Sequence, residues 1–259
     1  MDFLKKIVSK KTVSVLDCDS DRLVVLIAAK AADGTFQILG GGESVPRGID
    51  CGEIRNLGDA VESLMDALRK AENSSGVNVD SLYFNFDDVA LESRHVHYTK
   101  NLSGEGEIQT SDLDEAVEMA VRQVGQFEKS VLYCKPVGFV IDDRDRVENP
   151  VGVFGRKLDV EVYVLQARSD LCDAWQKLIQ RCHLARGVPI PSVLSTAYGI
   201  LPADDRQKKR LIADAGGDFL NLFIFGKNIL MDHRIFLTKS IRLHGVAFHP
   251  MLLDFSLAL

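Results

Sequence analysis

The sequence predicts an α/β fold built from two strand–turn–strand units, with a compact α+β module set between them. Three observations carry this. An apolar strand ending in an aspartate, a short polar turn and a second apolar strand occur at Asp17 and again at Asp214. Between these units, β-rich runs alternate with amphipathic helices. Around residues 87–165 that alternation gives way to longer strands surrounding one helix.

Taken in order, residues 1–11 place Phe3, Leu4, Ile7 and Val8 on one helical face and Lys5, Lys6, Lys10 and Lys11 on the other. Such a segment suits an anionic membrane surface, although one short helix binds it weakly. Residues 12–16, 22–29 and 35–39 are β-branched and aliphatic and predict a three-stranded meander, turning at Asp17-Cys18-Asp19-Ser20-Asp21 and at Asp33-Gly34. Residues 59–72 predict a helix that buries Val61, Leu64, Met65 and Leu68. Asp59 is expected to cap it, with Glu62 at the matching third position and Gly76 beyond its end. A strand at 81–86 follows.

In the module, a strand at 93–99 leads to a helix from Ser111 with Leu113, Val117, Val121 and Val124 on one face. Strand 131–141 comes next, then 158–165, where Leu158, Val160, Val162 and Val164 alternate with Asp159, Glu161 and Tyr163. Ser169 is expected to cap a third helix with Leu171, Trp175, Leu178 and Cys182 inward and Gly187 as its stop. A helix at 192–201 and a second meander at 211–214, 219–225 and 229–237 complete the pattern.

Composition excludes several classes. The formal net charge of −6, without a basic run, argues against nucleic acid as the main partner. Five cysteines, an odd number without metal-ligand spacing, read as reduced thiols of a cytoplasmic protein. No apolar stretch reaches the roughly 20 residues needed to span a bilayer, and no secretory signal pattern opens the chain. His95 and His97 share a strand face, but further metal ligands are not signalled. His183, His233, His244 and His249 read as surface or capping residues. Cys18, set among aspartates, is a poor nucleophile because nearby negative charge raises a thiol pKa.

The duplicated unit resembles the plan of the actin and sugar-kinase superfamily. There, each hairpin cradles phosphate with backbone N–H groups, and each aspartate positions Mg²⁺ through water. Within it the sequence resembles the FtsA cell-division family. Pro46-Arg47-Gly48-Ile49 and the later Asp59-Ala60-Val61-Glu62-Ser63-Leu64 are similar to the family's "SRGI…VESI". Residues 149–162, Asn-Pro-Val-Gly-Val-Phe-Gly-Arg-Lys-Leu-Asp-Val-Glu-Val, are similar to its "DPVGMSGxRLEVEVH". Asp214-Ala215-Gly216-Gly217 stands where the family has "DIGGGTTD". The resemblance implies an actin-like first domain at 12–86 and 166–205, an inserted subdomain at 87–165 and part of a second domain at 206–259.

It also implies ATP and Mg²⁺ as ligands and Asp17, Ser20, Arg22, Asp214, Gly216 and Gly217 as the nucleotide site. The departures point the other way. Asp19 replaces a turn glycine, and Asp218, Phe219 and Leu220 replace the third glycine and both threonines. We therefore expect no cofactor and no enzymatic activity, only an FtsA-like adaptor acting through protein contacts. Arg144, Arg146 and Arg156 of the insert are its candidate contact residues, and FtsZ-like proteins or further copies are the partners implied. The location implied is cytoplasmic, peripheral at the inner face of the membrane. The alternatives are an ATP- and Mg²⁺-binding actin-like protein and a pilus-assembly scaffold resembling PilM.

Overall fold

A computed structural model describes residues 12–124, 128–144 and 146–238. The expectations for residues 1–11, His244 and His249 lie outside this range. The first sheet has five strands. β1 (Thr12–Cys18) pairs antiparallel with β2 (Leu23–Lys30), and β2 with β3 (Phe36–Ser44). A two-stranded hairpin of β4 (Ile49–Asp50) and β5 (Glu53–Ile54) leads into α1 (Leu57–Ser75), and β6 (Ser81–Phe86) then joins β1 in parallel.

α1 begins two residues before the predicted start. Asn56, not Asp59, caps it, since the Asn56 side-chain oxygen accepts from the Gly58 and Asp59 N–H groups. It runs three residues beyond the predicted 72, to Ser75, and Gly76, expected past the end, closes it in the left-handed region at φ 69°. The buried stripe turns toward small residues: Ala60, Ser63, Leu64, Ala67, Leu68 and Ala71 face the sheet, and Val61 and Met65 lie at its margin. The reason lies on β3, where a Cβ at Gly42 would stand 2.1 Å from the Ala67 carbonyl oxygen. Helix and strand approach too closely there for larger side chains.

The second sheet, in the order β7-β10-β8-β9, holds β7 (Glu92–Glu107), β8 (Lys129–Ile141), β9 (Arg146–Val147) and β10 (Phe154–Arg168). α2 (Thr110–Val124) buries Ala116, Ala120 and Val124 against Leu158, Val160, Val162 and Val164. The other face of β10 does not stay in solvent: Tyr163 and Leu165 are buried with Val193, Ala197, Ile212, Phe223, Phe225 and Leu230. The inserted sheet is thereby joined on that side to the remainder of the chain.

α3 (Ser169–Arg181) buries Leu171, Trp175, Leu178 and Ile179 under the first sheet. Ser169 is its first helical residue rather than its cap; Arg168 holds the cap position without a side-chain bond, and the Ser169 hydroxyl lies 3.0 Å from that of Ser130. Gly187 does not stop this helix but belongs to β11 (Arg186–Pro191), which joins β6 in parallel. α4 (Ser192–Ile200) and a short α5 (Ala203–Gln207) lead to the third sheet, β12 (Arg210–Ala215), β13 (Phe219–Gly226) and β14 (Ile229–Leu237).

Candidate functional site

The two strand–turn–strand units repeat in geometry as well as in sequence. Asp17 pairs across its hairpin with Val24, and Asp214 with Asn221, seven residues on in both units. Both turns close the same way: the Asp19 N–H donates to the Arg22 carbonyl at 2.9 Å, and the Gly216 N–H to the Phe219 carbonyl at 2.8 Å. Asp19 thus corresponds to Gly216, and Asp21 to Asp218.

The turns face each other across a cleft of about 960 Å³. Asp17, Ser20, Asp214 and Gly216 line it, together with Asp19, Asp87, Asp218 and Asn221. Two predicted site residues are placed differently. Gly217 meets the opposing turn, where a Cβ would fall 2.0 Å from the Ser20 hydroxyl. Arg22 is exposed and outside the lining, though its charge partly counters what raises the Asp17 pKa, namely burial first and then Asp19. Neither Gly216 nor Gly217 has a positive φ, so turn conformation does not require glycine at either position.

Asp17 is held from β6: the Asn85 amide donates to its carboxylate at 2.5 Å, and the Asn85 side-chain oxygen accepts the Cys18 N–H at 2.9 Å. Asp214 accepts from the Thr196 hydroxyl of α4 at 2.6 Å. The Cys18 thiol is pushed up to about 12 by burial, then by Asp17, Asp19 and Asp218, so it is not a nucleophile at neutral pH. Among the described residues no group of three or more His, Cys, Asp or Glu is arranged to hold a metal ion.

Asp19 occupies part of the first turn's donor set. Its carboxylate already takes the Ser20 N–H at 2.8 Å. In a phosphate-binding turn such N–H groups point at the ligand. Here the protein's own anion holds that donor, and Asp17, Asp214 and Asp218 add negative charge around it.

Sequence reasoning missed Asp87. It follows β6 directly and lines the cleft. The insert boundary expected at residue 87 therefore falls within the cleft wall. Burial raises the Asp87 carboxyl to about 7, against the pull of Ser192 and Asn221. The Asn221 amide donates to Asp87 at 3.3 Å, while His233 Nε2 lies 2.8 Å from the Asn221 side-chain oxygen. His233 is thus no surface residue; it is 2% exposed, and burial lowers its pKa to about 4. Neutral His233 donates from Nε2.

This Asp87–Asn221–His233 relay carries two opposed pH dependences. Native Asp87 keeps a proton that the unfolded carboxyl, near 3.8, gives up, so its contribution fades as pH rises toward 7. Native His233 refuses a proton that the unfolded ring accepts below 6.5, so stability is lost as pH falls toward 4. Between about 4 and 6.5 the two slopes oppose each other. Asp87→Asn is expected to expose the histidine slope, with the variant gaining stability from pH 4 to 6.5 and exceeding the parent most above pH 7. Urea unfolding across that range checks it; a variant whose profile overlays the parent's would refute it.

Arg144 and Arg156 both stand near Asp142, whose pKa their charges help lower. Arg144, Arg146 and Arg156 are exposed. Arg146 is engaged, donating to Glu161 at 2.6 Å and to the Val137 carbonyl at 2.8 Å. Asp142 in the same loop accepts the Arg156 and Lys157 N–H groups, which gives this acidic stretch a structural task. His95 does not pair with His97 toward a metal; its Nδ1 lies 2.8 Å from Glu161 and its Nε2 3.0 Å from the Met231 carbonyl.

Comparison with known proteins places these features. A family model described as "SHS2 domain inserted in FTSA" matches residues 90–166. The chain is 25% identical over 224 residues to the cell division protein FtsA of Escherichia coli K12, covering 85% of this chain and 52% of that protein. It is 28% identical over 241 residues to FtsA of Rhizobium meliloti strain 1021, covering 88% and 54%. The chain thus spans about half the length of these curated relatives. Among solved structures, one described as "PilM-PilN type IV pilus biogenesis complex" matches with a TM-score of 0.61 at 14% identity, covering 87% of this chain and 61% of that one. The fold is actin-like, with the SHS2 module inserted.

Proposed function

We propose, from the premise that this chain is a member of the FtsA family, that it serves cell division as an actin-fold adaptor working through protein contacts and not through nucleotide turnover. One observation carries the second half of this reading: the Asp19 carboxylate occupies the Ser20 N–H that a phosphate would need. The relatives' name supplies the process. The partners are other division proteins or further copies of the chain, met through the exposed surface of the insert around Arg144 and Arg156.

A fluorescent fusion in the native host tests the process. A band at the division site is expected, and a uniform cytoplasmic signal overturns the reading. Arg144→Glu with Arg156→Glu is expected to weaken recruitment to that band at least tenfold if the insert makes the contact. Unchanged recruitment would move the contact elsewhere.

No helix among the described residues is long and apolar enough to cross a membrane. Residues 1–11 supply a peripheral anchor in our reading, through four lysines and one apolar stripe. Flotation with anionic liposomes is expected to fall several-fold when these residues are deleted. Equal flotation of the two forms removes them as the anchor.

A further inference from the structure

Two sheet edges meet where the insert joins the third sheet. β7 ends the second sheet on one side, and β14 ends the third. Side chains of β7 reach the carbonyls of β14. The Ser93 hydroxyl donates to the His233 carbonyl at 3.1 Å. His95, two residues on and on the same face, places Nε2 3.0 Å from the Met231 carbonyl. Its other ring nitrogen, Nδ1, lies 2.8 Å from a Glu161 carboxylate oxygen on β10. The ring packs edge-on against buried Tyr163, its partner across the strands, with centroids 5.4 Å apart.

Both oxygens that the ring meets are acceptors only. A backbone carbonyl has no proton to give. Neither has Glu161: burial raises its carboxyl, but the His95 bond and the Arg146 charge outweigh this and hold it below the ordinary range. A neutral imidazole carries one N–H and can serve one of these oxygens, whereas the imidazolium donates to both.

We propose that His95 is a pH-sensitive latch between the insert and the third sheet, closed when its ring is charged and loosened when it is neutral. Histidine changes charge between about pH 5 and 8. When the ring loses its proton, one nitrogen turns a lone pair toward an oxygen and that bond is lost. The surrounding charges come from four strands. Glu161 on β10 bonds the ring directly and favours its charged form. Arg146 on β9 holds the other Glu161 oxygen at 2.6 Å and offsets part of that charge. Asp232 and Arg234 on β14 act with opposite signs on Tyr163 beside the ring. Lys135 on β8 stands opposite Tyr163 in register, and His97 on β7 stands opposite Glu161. The Ser93 bond and the buried contacts of Tyr163 and Leu165 need no titrating proton, so the junction persists at either end of the range. What changes is how firmly the insert is held against β14.

The Leu230 N–H reports on this junction, because it donates to the Tyr133 hydroxyl of β8 at 3.2 Å. The test is amide hydrogen exchange of the whole chain between about pH 5.5 and 8, corrected for the intrinsic pH dependence of exchange, beside an NMR titration of the His95 ring. Leu230 protection is expected to fall about threefold as His95 loses its proton, the scale of one partly exposed charged pair; the His95 side chain is 40% exposed. Glu161→Gln tests the cause. Its amide can donate to Nδ1 while the Nε2–H still serves Met231, so the neutral ring keeps both bonds and the step is expected to vanish. Protection that does not follow the His95 titration overturns the latch. So does a step that survives in Glu161→Gln, which would assign it to Asp87, raised by burial to about 7 and titrating in the same range.

Discussion

Replacing Trp175 with alanine is expected to remove about 3–5 kcal/mol of stability, the range for deleting a large buried aromatic side chain. Against the roughly 5–15 kcal/mol that holds a typical domain together, this would leave the protein marginal at 37 °C. Trp175 is 2% exposed and stacks on Phe84 with ring centroids 5.1 Å apart. It also donates from Nε1 to the Gly52 carbonyl at 2.9 Å. That bond ties α3 to the loop between β4 and β5, and Cys51 and Gly52 of this loop line the cleft. One side chain therefore joins the core to a wall of the site. Urea unfolding followed by circular dichroism measures the loss. Trp175→Phe keeps most of the stacking but orphans the carbonyl, and is expected to cost about 1–3 kcal/mol. A loss below about 1 kcal/mol for the alanine variant would show that the stack and the loop contact contribute little.

Where the fold was legible in the sequence, the cause was periodicity unopposed by context. β1, β2 and the third sheet announce themselves as apolar runs ended by turn residues, and Gly76 marks the end of α1 by its αL geometry. β11 was illegible because Gly187, Pro189 and Pro191 read as breakers. It lies at the edge of the sheet, beyond β6, where a strand tolerates the missing N–H groups of proline. The start of α1 was misread because Asp59 and Glu62 imitate a capping pair, while Asn56 sits three residues earlier with better geometry.

The site was half legible. Asp17 and Asp214 could be found because each ends an apolar strand before a small-residue turn. Asp87 could not, since Asp87-Asp88 reads as an ordinary solvated turn. Its signal was positional: it follows the carboxyl end of a strand with parallel neighbours on both sides, where open α/β sheets place their ligands. His233 was hidden for a different reason. Its neighbours on β14, Asp232 and Arg234, suggest a wet face, yet alternation along the strand turns His233 inward to Asn221.

The largest effect we expect concerns ATP. The chain should show no binding by isothermal titration with ATP and Mg²⁺ at concentrations approaching 1 mM, a level that corresponds to about −4 kcal/mol. Two unit charges about 4 Å apart at an intermediate dielectric cost about 4 kcal/mol, and every 1.4 kcal/mol or so is a tenfold change in affinity. One carboxylate placed against a phosphate oxygen is therefore enough to turn a micromolar site into a millimolar one. Asp19 does more than repel, because it holds the Ser20 N–H that would otherwise face the anion. Asp19→Gly returns this position to the residue that its counterpart Gly216 already has, and Asp218→Gly removes a second charge from the lining. The double variant is expected to gain at least a hundredfold in ATP affinity, since removing the charge and freeing the donor act in the same direction. Asp19→Asn separates the two effects: it removes the charge while its side-chain oxygen can still accept the Ser20 N–H, so its gain should be smaller than that of glycine. A dissociation constant in the low micromolar range for the unaltered chain would overturn the self-occupied turn outright. Silence from the double variant would shift the cause from the carboxylates to the rest of the cleft, where Gly217 meets Ser20 and Phe219 stands in place of a hydroxyl.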